Sequence, residues 1–193
     1  MGDIAKEFEE SFVHKDIYKQ FLDKRVIFLW GEVNDRSSEE IVKKLIYLSS
    51  KGKEEIKFYL NSPGGSVTAG MAIYDAMQSI PCDISVTCTG LAASMGALLL
   101  CAGTHGKRYG FPHCRVMIHQ PLIGGHIVAP ASDIKIQAEE MNRTKSELNH
   151  ILAKHTGKSF EVVQRDTDRD NFMSAEEAKS YGLIDQVITK FDF

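Results

Sequence analysis

The 193-residue sequence has no Cys-x-x-Cys pair, no excess of basic residues and no apolar run long enough to cross a bilayer. Each absence removes a class of function. The four cysteines, Cys82, Cys88, Cys101 and Cys114, are scattered, and three lie in apolar segments, where a free thiol behaves as a small hydrophobe. That usage fits a reducing compartment rather than a disulfide framework. With 23 Lys and Arg against 26 Asp and Glu, the net charge is −3 and the two signs are interspersed. Neither a nucleic-acid footprint nor a polybasic membrane patch is expected from such a chain. The most apolar window, GALLLCAG, is far shorter than a bilayer span. The opening MGDIAKEFEE lacks the basic and apolar regions of a secretory signal, and Lys6 stands where a myristoylation motif needs Ser or Thr. No GxxxxGK phosphate loop occurs. The expectation is a soluble, cytoplasmic protein with no nucleic-acid or membrane partner. Cys101, His105, His113 and Cys114 have the residue types of a metal site but match no standard zinc spacing.

What is present is an alternation of strand and helix signals. Residues 1–20 are polar and aromatic without a clear period and read as an arm. RVIFLWG (25–31) is a continuous apolar run, hence a buried strand. SSEEIVKKLIYLSS opens with Ser37 and Glu40 at capping-box spacing and places Ile41, Leu45 and Leu48 on one face. IKFYL alternates as a strand and NSPGG breaks it. SVTAGMAIYDAMQSI is helical until Pro81, and ISVTCTG is a β-branched strand ending at Gly90. SMGALLLCAGT predicts a short apolar helix, and RVMI a strand ended by HQP. Residues 132–155 predict a long amphipathic helix closed by Gly157. SAEEAKSYG carries a second capping box, Ser174 to Glu177, with Gly182 as its stop. LIDQVIT predicts a last strand. One α/β domain with a largely parallel sheet follows.

Ser94, His119 and the Gly64–Gly65 turn all fall just past predicted strand ends, where open α/β folds place their sites. A serine at the start of this short apolar helix is either a cap or a hydroxyl held where unpaired N–H groups favour developing negative charge. To act as a nucleophile it needs a base, and the base needs an orienting acceptor. His119, set between an apolar strand and Pro121, is the best base candidate. Gly64 and Gly65 allow the main chain to approach a reacting group and offer a second backbone donor. Each feature alone has an ordinary structural explanation. Together they suggest acyl transfer, although spacing alone does not bring them into contact.

Four longer motifs resolve the ambiguity. NSPGGSVTAGMAIYDAM, TGLAASMGALLL, VMIHQP and RDTDRDNFMSAEEAKSYGLID closely resemble, in the same order, the ClpP-type proteolytic subunits of the Clp peptidase family (peptidase family S14), over nearly the whole chain from about Asp16 onward. The resemblance implies a crotonase-like α/β fold with a protruding helix–strand handle. It divides the chain into an N-terminal arm (1–20), a head domain (21–121 and 158–193) and the handle (122–157, a strand plus the long helix). It implies a serine endopeptidase needing no metal or cofactor, built as two stacked heptameric rings around a chamber and fed unfolded protein by an AAA+ unfoldase of the ClpX, ClpA or ClpC type. By position, Ser94 matches the family nucleophile, His119 its base and Asp170 the third member. Nothing in composition or periodicity selects Asp170 over Asp166 or Asp168. Gly65 and Met95 match the oxyanion-hole amides, Gly124 and Gly125 the segment that pairs with extended substrate, and Asp168 and Arg169 the contact between rings.

Three departures stand out. The arm lacks the apolar, proline-containing start usual in the family. Lys57 sits where many members carry an aromatic residue of the unfoldase-docking pocket, while Tyr59 and Tyr109 match. HQPLIGGHIVAPASDI is about two residues longer than in many members. These changes raise the expectation of a regulatory or conditionally active subunit, working in a mixed assembly with a second paralogue. A crotonase-type acyl-CoA enzyme shares the fold and the oxyanion hole, but would not need a Ser–His–Asp set.

Overall fold

The structure is a computed structural model that describes residues 16–122, 124 and 128–191. Most of the expected arm, together with Gly125, lies outside the described residues. Helix α1 covers 16–23, so helical structure runs across the boundary expected at residue 20. It is anchored by Tyr18, whose hydroxyl donates to Glu40 Oε1 (2.7 Å), and by Phe21, edge-on to Phe28 at 5.0 Å.

The order that follows is β1 (Val26–Trp30), α2 (Asp35–Lys51), β2 (Ile56–Ser62), α3 (Val67–Ser79), β3 (Ile84–Ala93), α4 (Met95–Cys101), β4 (Arg108–Gly110), β5 (Arg115–Ile118), α5 (Ala131–Thr156), α6 (Phe160–Asp166), β6 (Asn171–Ser174), α7 (Ala175–Tyr181) and β7 (Gln186–Val187). Strands β1-β2-β3-β4-β7 lie side by side in parallel. The far end of β3 leaves β4 and pairs in parallel with β5 instead, and β6 adds antiparallel to β5. The α/β architecture expected from the alternation is therefore present, with one antiparallel strand on a parallel sheet. Its core runs through Phe58, Leu60 and Val86 of the sheet, Ile41 and Leu45 of α2, Ile73 of α3 and the wholly buried α4. Among the described residues, no helix is long and apolar enough to cross a membrane.

Local rules place most boundaries, with instructive exceptions. Gly157 and Gly182 close α5 and α7 in the left-handed conformation, and the Ser174–Glu177 capping box forms. The first capping box does not: α2 starts three residues earlier, at Asn34, whose side chain accepts from Ser37 N–H while Ser37 Oγ accepts from Asn34 N–H. Asn is as good a cap as Ser, and the earlier start adds a hydrogen-bonded turn. Gly90 does not end β3. The strand continues to Ala93, and a Cβ on Gly90 would lie 2.8 Å from Asn61 Oδ1. That glycine marks a close approach at a bulge. The last strand shrinks to Gln186–Val187, because Leu183 and Ile184 are buried in the core and Asp185 is engaged by Arg108. Leu122, Gly124 and Val128–Pro130 belong to no strand, and the rest of the segment expected to carry the handle strand lies outside the described residues.

Arg108 ties the helices together. Its buried guanidinium donates from Nη2 to Asp185 Oδ1 (2.5 Å), from Nε to Asp185 Oδ2 (2.9 Å), and from Nη1 to the carbonyls of Cys101 (3.4 Å), His155 (2.8 Å) and Gly182 (2.9 Å). Those carbonyls belong to the C-terminal ends of α4, α5 and α7, where orphan acceptors and the helix dipole favour a cation. Burial pushes the Asp185 carboxyl up, but the guanidinium and backbone N–H donors outweigh it and hold it below the usual range. Asp185→Ala strands the buried arginine charge and should cost about 3–5 kcal/mol, read as a fall in the denaturation midpoint.

Candidate active site

Strand β3 passes into helix α4 through a single residue. Ala93 ends the strand, Met95 begins the helix, and Ser94 makes the whole reversal with φ 55° and ψ −121°. A non-glycine residue in that region carries strain of about 1–3 kcal/mol, and such strain gathers at functional positions. The surroundings enforce it. Ser94 N–H donates to Met117 O (2.8 Å) on β5, and Ser94 O accepts from the N–H groups of Ala97 (3.0 Å) and Leu98 (3.2 Å). The hydroxyl does not cap α4. Of the two readings open for this serine, the cap is excluded.

His119 follows the last residue of β5. The β5–β6 ladder pairs Arg115 with Ser174, Val116 with Met173, Met117 with Phe172 and Ile118 with Asn171. One step further, this register sets His119 opposite Asp170. Their side chains meet, His119 Nδ1 lying 2.9 Å from Asp170 Oδ1. The imidazole is 16% exposed and the carboxylate 62%. Of the three nearby aspartates, Asp170 is the one that the antiparallel register sets against His119. Asp166 is used elsewhere, accepting from Tyr181 Oη (3.1 Å).

Ser94 and His119 line one pocket, whose other walls include Val67, Leu98, Ile118, Pro121, Leu148 and Leu152. Among the described residues, no hydrogen bond joins Ser94 Oγ to His119. Catalytic hydrogen bonds are often long before substrate binds.

Beside Ser94, the chain doubles back through Gly64 (φ 87°) and Gly65 (φ 145°). Val33 holds this turn as an isolated parallel bridge. Val33 N–H donates to Gly64 O, and Ser66 N–H donates to Val33 O, both at 2.8 Å. In a parallel bridge the opposed residue turns its own N–H away, so the Gly65 amide is free of Val33. Met95, as the first residue of α4, likewise has an N–H with no intrahelical partner. A Cβ on Gly64 would lie 2.6 Å from Ala93 O, 2.7 Å from Ser94 Cβ and 2.9 Å from Met95 N. The glycine turn is thus packed directly against Ser94 and the start of α4, a backbone approach that only glycine permits. Val33 and Asn61, whose Oδ1 accepts from Leu91 N–H (3.0 Å) at the bulge before Ser94, went unnoticed in the sequence. Neither carries a local signal of its contact.

The remaining expected residues are scattered more widely. Gly124 is in irregular backbone. Asp168 and Arg169 are next to the Asp170 carboxylate on the same exposed turn, with side chains 57% and 90% exposed. Among the described residues, no group of three or more His, Cys, Asp or Glu is arranged to hold a metal.

Ser94, the His119–Asp170 contact and the glycine turn thus lie on one side of an α/β frame, at the ends of its strands. The family model of the Clp protease matches residues 9–191, and the chain belongs to the Clp protease family, the serine peptidases of ClpP type. Ring oligomers served by Clp unfoldases are the working form of that family in general.

Gly64→Ala must displace Ala93, Ser94 or Met95 and also strains a left-handed residue. Peptide hydrolysis should fall at least about tenfold, with stability reduced by about 1–3 kcal/mol. Steady-state kinetics alongside urea unfolding measures both.

Proposed function

We propose that this chain is a serine endopeptidase subunit that hydrolyses unfolded polypeptides inside a chamber of two stacked heptameric rings, with Ser94 as nucleophile, His119 as base and Asp170 as the orienting acceptor. The observation that carries this reading is the 2.9 Å contact of His119 Nδ1 with Asp170 Oδ1. With Nδ1–H donated to the carboxylate, Nε2 keeps its lone pair. It takes the Ser94 proton as Oγ bonds to the substrate carbonyl carbon. The carbonyl oxygen becomes an oxyanion, and the N–H groups of Gly65 and Met95 donate to it. Collapse breaks the peptide C–N bond, and His119 returns the proton to the leaving amine. Water then attacks the acyl-enzyme by the same relay and restores Ser94. Asp170 remains an anion throughout and steadies the imidazolium. The chemistry draws on no metal or cofactor. Ring assembly or substrate supplies the closure that brings Ser94 Oγ within reach of Nε2.

Two other features support the chambered form. Along the first half of α5, Ile134 and Ile136 are exposed apolar side chains, as a helix that interlocks rings would require. Asp168 and Arg169 stand exposed for an inter-ring contact. The substrate-pairing role of Gly124 and Gly125 rests on the family resemblance alone; it is a mode of binding that tolerates many sequences. A surface cleft lined by Tyr59, Tyr109 and Ile188 is the docking place for an unfoldase, but Glu55, Lys57 and Lys190 also line it. Those charges favour a second reading, in which a paralogue supplies the unfoldase contact in a mixed assembly.

A fluorophosphonate should label Ser94, located by mass spectrometry, and Ser94→Ala should lower peptide hydrolysis by at least about a thousandfold. Labelling elsewhere, or full activity in the variant, removes the proposal. The same assay on the chain alone separates the two readings: robust turnover dispenses with a paralogue, and activity only on mixing requires one. Because the wall beside Ser94 is apolar, peptides with a Leu or Met just before the cut bond should be hydrolysed at least about tenfold faster than those with Asp, each buried methylene contributing about 1 kcal/mol.

A further inference from the structure

We propose that Lys145 and Gln120 are positioning residues, through which helix α5 sets the His119–Asp170 contact. The inference rests on the catalytic reading above. Asp170 is largely exposed and belongs to the turn between α6 and β6. That turn is held from outside. Gln120 Nε2 donates to Asp168 O (2.6 Å), Lys145 Nζ donates to Gln120 Oε1 (2.8 Å), and Lys145 Nζ lies 3.6 Å from Asp168 Oδ1. Gln120 is the chain neighbour of His119, and Asp168 lies two residues before Asp170. The bridge therefore links the segment carrying the imidazole to the segment carrying the carboxylate.

A second grip comes from the same face of α5. Asn149, one helical turn beyond Lys145, is buried, and its Oδ1 accepts from Thr167 Oγ1 (3.0 Å), also buried. Thr167 Oγ1 also lies 2.9 Å from Val163 O, one turn back in α6, so the same hydroxyl joins α5 to the end of α6. Asn149 fixes where the turn begins, and Lys145 with Gln120 fixes its middle. The Lys145 side chain is 22% exposed, whereas that of Arg169, which reaches the other oxygen of Asp168 at 3.8 Å, is 90% exposed. Solvent screening weakens the arginine pair more. Lys145 is thus the better-held of the two cations on this carboxylate.

The test uses the assembled peptidase and a fluorogenic peptide, with Lys145→Met, Lys145→Arg, Gln120→Ala, Asp170→Asn, the Lys145→Met/Asp170→Asn double variant and Ser94→Ala. Lys145→Met and Gln120→Ala should each lower kcat about ten- to a hundredfold with KM little changed, as a small misplacement of a catalytic group does. Lys145→Arg should restore most of the rate. The double variant should be no slower than Asp170→Asn alone, because Lys145 acts only through Asp170. Full kcat in both Lys145→Met and Gln120→Ala overturns the inference, as does a loss in the double variant that multiplies the two single losses. Should Lys145→Met fail to assemble by native mass, Gln120→Ala, which leaves α5 unaltered, decides in the same way. Retained activity in Ser94→Ala instead overturns the catalytic reading, and this inference with it. Its loss beside unaltered kcat in the positioning variants overturns this inference alone.

Discussion

A single guanidinium holds the ends of three helices in register with the sheet. Arg108 sits at the start of β4 and gathers the C-terminal carbonyls of α4, α5 and α7 around one positive charge, with Asp185 closing the set. Burying this ion costs several kcal/mol, and the arrangement is favourable only because every partner is present. The consequences reach the site. Helix α4 starts just after Ser94, and Leu98 of α4 with Leu148 and Leu152 of α5 line the Ser94 pocket, so holding the C-terminal ends of both helices holds two of its walls. His155, whose carbonyl is one of those held, also places its ring edge-on to Tyr74 at 5.8 Å. Burial, with the Lys154 and Arg108 charges nearby, holds that imidazole down to about 4 and therefore neutral.

The site itself is an outcome of registers rather than of loops. One residue turns β3 into α4, one bridge residue holds the glycine turn beside it, and one strand pairing sets an imidazole opposite a carboxylate. Each is a backbone arrangement, and each leaves its side chain or amide little freedom. That is what a reaction needing several groups at one point requires.

Much of this was legible beforehand. The helices α2, α3, α5 and α7 have apolar faces or caps that local physics reads well, and Gly157 and Gly182 end theirs as left-handed residues should. Ser94 and His119 stood out because strand ends are where α/β sites form. The misreadings have a common cause. Gly90 looks like a strand end only when the Asn61 side chain packed against it is unknown. Ser37 looks like a cap until Asn34 competes for the role. Strand β6 spans only Asn171–Ser174 and exists because β5 offers it an edge. Without β6 there is no register, and without the register Asp170 is one aspartate among three. Motif resemblance supplied that residue where local reasoning could not, since a pairing between positions 118 and 171 leaves no trace in either segment alone.

Helix α5 has a mechanical consequence. It runs 26 residues, and its buried positions, Leu148, Asn149 and Leu152, all lie in its C-terminal half. At 1.5 Å per residue, roughly 20 Å of rod extends from Lys145 to the free end at Ala131. Such a rod, clamped at one end, is a lever. A sideways shift of about 2 Å at its tip corresponds to a tilt of only about 5° over that length, and the fulcrum lies where Lys145 and Asn149 touch the turn before Asp170.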